Sequence, residues 1–415
     1  MYKRFNIRAT PTVMLLDKDG SEVDWHVGYG PPPEKFLERL EKSVQGIDTF
    51  KALSARFAQE PENVEVVFKL ARKYDRRYDQ PKALELYRKV LELDPDGSKG
   101  TTEYEGEAVT FTEYAEYAIG AIQVFGAKRD PEPLKAFIKA HPESPLVKSA
   151  YQRLSSYYRF SGPKEEARAF FEEYTSRYGD DPYALSDYVA RILRDKENLD
   201  RGIELAETIK EILKVNPEPY FMKDLAELYM LKEEKDKAEE VFGKRFMEGQ
   251  VSRMSFNLMD YATFWIRHNM NTASAEGMME LALKLTPDRW YHLQSAARNY
   301  IKLGKEEKAL AIFGPDFIQK HTDDATVLNN YAWFWAHQGK NLESALEAAR
   351  KSVALSETAY ALDTLSLVYM KLKRYKEALE AAERAVERAD EQVKARYRNR
   401  ITQIKKEMAK GEKKK

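Results

Sequence analysis

Six histidines are the side chains best suited to moving protons near neutral pH. They are scattered: His26, His141, His268, His292, His321 and His337. None stands four residues from another and no H-E-x-x-H occurs, so their spacing points to ordinary surface or half-buried histidines, not a metal pair. The 415 residues contain no Cys, which removes thiol nucleophiles, disulfides, Cys-ligated metals and dithiol redox chemistry. Neither G-x-x-x-x-G-K-[ST] nor G-x-G-x-x-G is present to cradle a phosphate. Carboxylates are plentiful but fall on charged helix faces, with no pair singled out for acid–base work. No catalytic residue, metal or cofactor is therefore expected, and the chain reads as a non-enzyme. The chemistry that remains is recognition, in which an Arg fork grips a carboxylate and an aromatic ring anchors a partner's side chain. Trp333-Phe334-Trp335 is the densest aromatic run. Three consecutive residues cannot share one helix face, so at least one should meet solvent, a loop or a partner.

Recognition needs elements that position it. Lys+Arg and Asp+Glu both number 68, so the formal net charge is +0. A chain-wide affinity for nucleic acid or anionic membrane is not expected. Charged residues are 33% and hydrophobic ones 43%, which suits helices with one apolar and one charged face. No apolar run is long enough to span a bilayer. From Gln392 onward ten Lys/Arg face two Glu, leaving this tail at about +8 and the rest near −8. The tail has one aromatic, Tyr397, and no stacking platform, so a solvated cap helix is favoured over a nucleic-acid or lipid contact.

At the N-terminus, Thr12–Asp17 is a short β-compatible run and Lys18-Asp19-Gly20 a tight turn. Val23, Trp25 and Val27 then alternate as a second strand. A helix is predicted from Pro33 to Val44, with Phe36, Leu37, Leu40 and Val44 on one side. This ββα order, with Ile7-Arg8-Ala9-Thr10-Pro11-Thr12 ahead of it, resembles the C-terminal half of the thioredoxin fold over residues 1–48. The resemblance implies that Pro11 is the cis-proline and that the Thr10 backbone meets an extended substrate. The family's first half and its Cys-x-x-Cys are absent from this sequence. A ββα unit this small buries too little apolar surface to fold alone. Either its partner half lies upstream, or it is a vestige packed on the helices that come after it.

After a linker at 49–59, the pattern over 60–391 is helical throughout. Val67, Leu70, Ala71, Tyr74, Ala83, Tyr87, Val90 and Pro95 set a spacing that returns at Leu225-Ala226-Tyr229-Ala238-Phe242, at Ala296-Ala297-Tyr300-Ala309-Phe313 and most cleanly at Leu365-Ser366-Tyr369-Ala378-Ala382. This pattern, in tandem at a period of about 34 residues, resembles the tetratricopeptide (TPR) repeat. Small residues let two helices approach, and each pair leaves an apolar face that its neighbour must cover. The fold expected is mainly α, a TPR-like α-solenoid of about nine helix pairs, preceded by the small ββα segment. Three irregularities stand out: a Gly- and Thr-rich loop at Pro95–Phe111, an insertion at Asn341, and Gly314-Pro315 breaking a second helix. Over 392–415 a stripe of Val393, Tyr397, Ile401, Ile404 and Met408 should cap the last repeat.

The resemblance implies a concave groove lined from the first helix of each pair. Counted onto this chain, its candidates are Phe68, Arg72, Gln152, Lys223, Asp260, Phe264, Arg267, Arg298, Asn330, Phe334, Tyr360 and Asp363. The Lys-and-Asn clamp of chaperone-binding members is missing, since Lys223 is followed by Glu227. The function expected is a protein- or peptide-binding scaffold. The alternative is part of a thioredoxin-family oxidoreductase whose repeats recruit clients. Freedom from Cys fits an oxidising compartment or a hot one; the reading leaves cytoplasm or periplasm open, with a slight lean to the periplasm if the chain begins further upstream.

Overall fold

The computed structural model describes residues 7, 11–28, 33–214, 218–249 and 254–412. Thr10 lies outside them; Pro11 is exposed, and its carbonyl accepts the Gly28 N–H at 2.9 Å. β1 (Thr12–Leu16) and β2 (Glu22–Val27) form an antiparallel hairpin with Thr12 opposite Val27. Gly20 takes φ +77° in its turn, a conformation that costs a residue without Cβ least. α1 (Pro33–Val44) follows. Its apolar stripe is only partly covered: Leu37 and Val44 are exposed, and Ser43 is its buried residue.

Residues 49–59 form no linker. They hold α2 (Phe50–Gln59), capped by the Thr49 side chain, which accepts the Ala52 N–H at 3.1 Å. Phe50, Leu53 and Phe57 fall on one side of this helix and join the first core cluster. From here the chain runs as helix pairs joined by short loops. α3 (Val64–Arg76) pairs with α4 (Gln80–Leu93). The expected loop after it is instead a second hairpin, β3 (Thr101–Tyr104) with β4 (Glu107–Thr110). Glu105 and Gly106 at its tip both have positive φ, 51° and 90°, the two-residue turn whose twist matches a hairpin. Then come α5 (Phe111–Gln123) with α6 (Glu132–Ala140), α7 (Val147–Phe160) with α8 (Lys164–Arg177), and α9 (Pro182–Asp195) with α10 (Leu199–Ile212). All of these lie in one compact unit, Met1–Ile212.

The second unit, Leu213–Lys415, holds α11 (Pro219–Leu231) with α12 (Lys235–Phe242) and the short α13 (Lys244–Gly249). Next are α14 (Ser255–Arg267) with α15 (Thr272–Leu285), and α16 (Trp290–Lys302) with α17 (Glu306–Phe313) and α18 (Pro315–Lys320). α19 (Ala325–Gln338) with α20 (Leu342–Leu355), α21 (Ala359–Lys371) with α22 (Tyr375–Arg388), and the single α23 (Glu391–Glu412) complete it. The described residues thus contain nine helix pairs.

Four pairs close on two small residues without solvent exposure: Ala71 and Ala83, Ala226 and Ala238, Ala297 and Ala309, Ser366 and Ala378. These stand 12 residues apart; Ala262–Ala275 and Ala332–Ala345 stand 13 apart. The extra residue is taken up by Asn271 (φ 50°) and Asn341 (φ 49°), asparagine being among the residues that tolerate the left-handed region. The second helix breaks at Gly314, as expected, and also at Gly243. A Cβ there would sit 2.0 Å from the Leu310 carbonyl and 2.1 Å from that of Glu239, respectively. At the end, Tyr397 and Ile404 of α23 are buried against the last pair, whereas Val393 is exposed.

Candidate binding face

In the second unit the first helices lie side by side: α14 packs on α11 and α16, and α19 on α16 and α21. Every step along this row carries a polar bridge. Lys223 Nζ reaches Asp260 Oδ2 at 3.1 Å from α11 to α14, and Arg267 pairs with Glu227 across the same gap. His268 Nε2 stands 3.0 Å from the same Glu227 carboxylate. Asn299 donates to Thr263 Oγ1 at 3.0 Å, and Gln294 to the Asn330 carbonyl at 3.3 Å. Tyr360 donates to Asn330 Oδ1 at 3.2 Å. Arg400 of α23 holds Asp363 at 2.9 and 3.3 Å.

The candidates therefore divide by depth. Gln152, Asp260, Arg267, Arg298 and Tyr360 are exposed, and Arg72, Lys223 and Asn330 are half-buried. Asp363 is covered by Arg400 and is 8% exposed. Phe68, Phe264 and Phe334 are core residues, at most 2% exposed. Phe264 meets Phe242 edge-on at 5.4 Å and Phe334 meets Phe313 at the same distance, because the broken second helices bring a Phe under each. Phe68 stacks on Phe111 at 4.5 Å. Of the aromatic triplet, Phe334 and Trp335 are sealed inside, and Trp333 lies at the surface against His337 with ring centroids 4.0 Å apart.

Two features escape a reading of the sequence alone. The first is a duplicated module. Phe242-Gly243 with Tyr261-Ala262-Thr263-Phe264-Trp265 is matched by Phe313-Gly314 with Tyr331-Ala332-Trp333-Phe334-Trp335. Trp265 Nε1 donates to the Phe242 carbonyl at 3.0 Å and Trp335 Nε1 to that of Phe313 at 2.8 Å, filling the carbonyls that the helix break frees. The signal that could have revealed it is the likeness of the two stretches side by side. The second is how the N-terminal hairpin docks. Asp24 is fully buried; Lys73 of α3 donates to both its oxygens at 2.7 Å, and Ser43 Oγ donates to it at 2.7 Å. Glu22 pairs with Arg77 at 2.8 Å, and the Arg77 guanidinium lies 4.3 Å from the Trp25 ring centre. With Ser43 Oγ donating to Asp24, the His26 Nε2–H donates to Ser43 at 3.0 Å. Burial holds the His26 pKa below its usual value, with the neighbouring Lys73, Arg39 and Arg76 charges adding to the effect against Asp24.

The face of the first unit is built over. From β3, Thr102 accepts from Arg72 of α3 at 3.1 Å, and the Tyr104 hydroxyl lies 2.6 Å from Ser149 Oγ of α7. The second hairpin thus bridges two first helices, on α3 at Arg72, a position the resemblance assigned to a groove. No described helix is long and apolar enough to cross a membrane.

Residues 359–391, the α21–α22 pair, match the tetratricopeptide repeat family. Among solved structures, the chain is similar to yeast Tom70, at 12% identity and a TM-score of 0.38, covering 91% of this chain and 87% of that one. It is also similar to the APC/C hetero-tetramer Cut9-Hcn1, at 10% identity and a TM-score of 0.32, covering 82% and 76%. No curated protein matches it.

Proposed function

We propose that this chain is a non-enzymatic scaffold that holds an extended segment of a partner protein on the first-helix face of its second unit. The observation that carries the reading is the row of cross-helix bridges. It fixes α11, α14, α16, α19 and α21 edge to edge while leaving Arg267, Arg298 and Tyr360 accessible on three of them. Fixed rows of this kind suit a ligand that runs across the helices. Arg298 can take a carboxylate, Arg267 can do so in exchange for Glu227, and Tyr360 can lie on an apolar side chain. Within the repeats of 60–391, those of the second unit are the binding array in this reading, and the ββα segment serves as a docked element at the start of the first unit's repeats. The oxidoreductase alternative, whose Cys-x-x-Cys would lie outside this sequence, has no observation in its favour among the described residues, and the family match falls on a repeat.

The test is selection of extended peptides from a displayed random library against the full chain. Binding is then measured to Arg298→Ala and Tyr360→Ala. Each substitution at an exposed site should leave the fold intact and weaken selected peptides by about tenfold or more. Unchanged affinity in both variants would overturn the reading.

A further inference from the structure

Between the docked ββα segment and α3 lies a cleft of a different character. One cavity of about 320 Å³ is lined by Trp25, His26, Arg39, Asp75, Arg76 and Arg153, among others. A neighbour of about 200 Å³ shares His26, Arg39, Lys73 and Arg76 with it and adds Arg72. The Arg residues come from α1, α3 and α7, so three separate elements converge on this space.

The lysines here are already engaged. Lys73 is held by Asp24, Lys42 by Glu38 at 2.7 Å, and Lys69 by Asp48 and Glu65 at 2.8 and 2.7 Å. The arginines are not: among the described residues no carboxylate comes within ion-pair distance of Arg39, Arg72, Arg76 or Arg153. Arg72 is occupied by Thr102 and the Tyr114 ring, 5.0 Å from its guanidinium, and Arg153 borders the Tyr117 hydroxyl. The Arg39 Nε is buried and, among the described residues, lacks a hydrogen-bond partner, a loss proteins seldom leave uncompensated. Burial, followed by the charges of Arg72 and other neighbours including Arg39, pulls the Arg76 pKa down from its usual value. Guanidinium remains charged at neutral pH all the same. The larger cavity therefore sets three guanidiniums without an ion-pair partner, Arg39, Arg76 and Arg153, against one carboxylate, Asp75, whose pKa is raised chiefly by burial.

We propose that this cleft binds a phosphoryl group, gripped by Arg39, Arg76 and Arg153. The charges select the ligand. Three guanidiniums and Asp75 leave an excess of about two positive charges, which a carboxylate would only halve and a phosphoryl dianion cancels. Three forks from three directions suit an anion with three terminal oxygens, since each fork can bind two of them in parallel. The volume suffices for a phosphate ester, a water molecule taking about 30 Å³. Because α1 contributes Arg39 while α3 and α7 contribute the rest, occupancy would also tie the ββα segment to the helix pairs.

The test uses the full chain and inorganic pyrophosphate, titrated by calorimetry at constant ionic strength. A phosphoserine peptide and its unphosphorylated twin form a second arm. Saturable one-to-one binding of pyrophosphate is expected, weakened about tenfold or more by Arg76→Gln and by Arg153→Gln. Arg153 is exposed, so its variant should fold even if a change at Arg39, whose side chain also covers Phe36, does not. Tighter binding of the phosphopeptide than of pyrophosphate would place the phosphoryl group on a protein. Pyrophosphate binding without peptide binding would place it on a small compound. Heat that only tracks ionic strength, or binding that survives both substitutions, would overturn the proposal.

Discussion

The two units treat the same face in opposite ways. In the first, chain segments outside the helix pairs lie over it: β3 bridges α3 and α7 through Thr102 and Tyr104, and β2 is fastened to α3 through Asp24. In the second, among the described residues, only side chains cross between first helices, and Asp260, Arg267, Arg298 and Tyr360 stay accessible. Helix-pair packing alone fixes neither outcome. The difference lies in the insertions, which turn an open row into a cleft with walls on several sides. A walled cleft suits a small charged group, and an open row suits a long ligand.

The largest effect expected from this comparison is at Asp24. Asp24→Ala leaves Lys73 without its carboxylate in a mostly buried site and should cost about 3–5 kcal/mol. Hydrogen exchange would accelerate first in residues 22–27 and 50–59. Asp260→Ala, which also removes a lysine's partner but on the open row, should cost less than about 1 kcal/mol. Equal costs would erase the contrast. Next come the glycines. Gly100 has φ +146° and an added Cβ would meet the Phe111 ring at 2.5 Å, so Gly100→Ala should destabilise the second hairpin by about 1–3 kcal/mol. Gly314→Ala, which drives a Cβ into the Leu310 carbonyl, should cost a similar amount in the other unit. Thermal unfolding followed by unit-specific exchange would separate them.

A smaller effect is set by pH. His26 and His292 both have pKa values lowered from 6.5, chiefly by burial. The unfolded chain therefore binds their protons more readily than the folded one. Their contribution is fully present above about pH 6.5 and is lost as pH falls through the lower folded values. Urea midpoints should decline below that point, and His26→Gln and His292→Gln should each flatten part of the slope. A slope unchanged in both variants would mean that other groups carry it. The smallest effect is at the exposed Arg267–Glu227 bridge. Arg267→Ala should shift stability by less than about 1 kcal/mol, read from the same urea curves.

What the residues make legible is whatever repeats. Ala71 and Ala83, or Ser366 and Ala378, announce a close helix approach by type and spacing alone, and Asn341 announces the one-residue insertion. What stays hidden is set by contacts distant in the chain. The Asp24–Lys73 pair joins residues 49 apart, and no local pattern marks either as buried. Counting helix positions puts Phe264 and Phe334 on a groove, yet Phe242 and Phe313 draw them inward. That inward turn depends on helix breaks at Gly243 and Gly314, of which only the second has a proline to advertise it. Phe50, Leu53 and Phe57 form an apolar stripe, but ten residues between a half-domain and an array look like a linker until α3 provides something to pack on.

Photo-crosslinking tests the central claim most directly. A photoreactive phenylalanine is placed at position 298 or 360 on the open row, or at exposed position 152 in the first unit, and a selected peptide is added to the full chain at a concentration high enough to occupy the row despite the affinity lost with Arg298 or Tyr360. Covalent capture from 298 and 360, with none from 152, is the predicted result. Capture from 152 with none from 298 and 360 would contradict it.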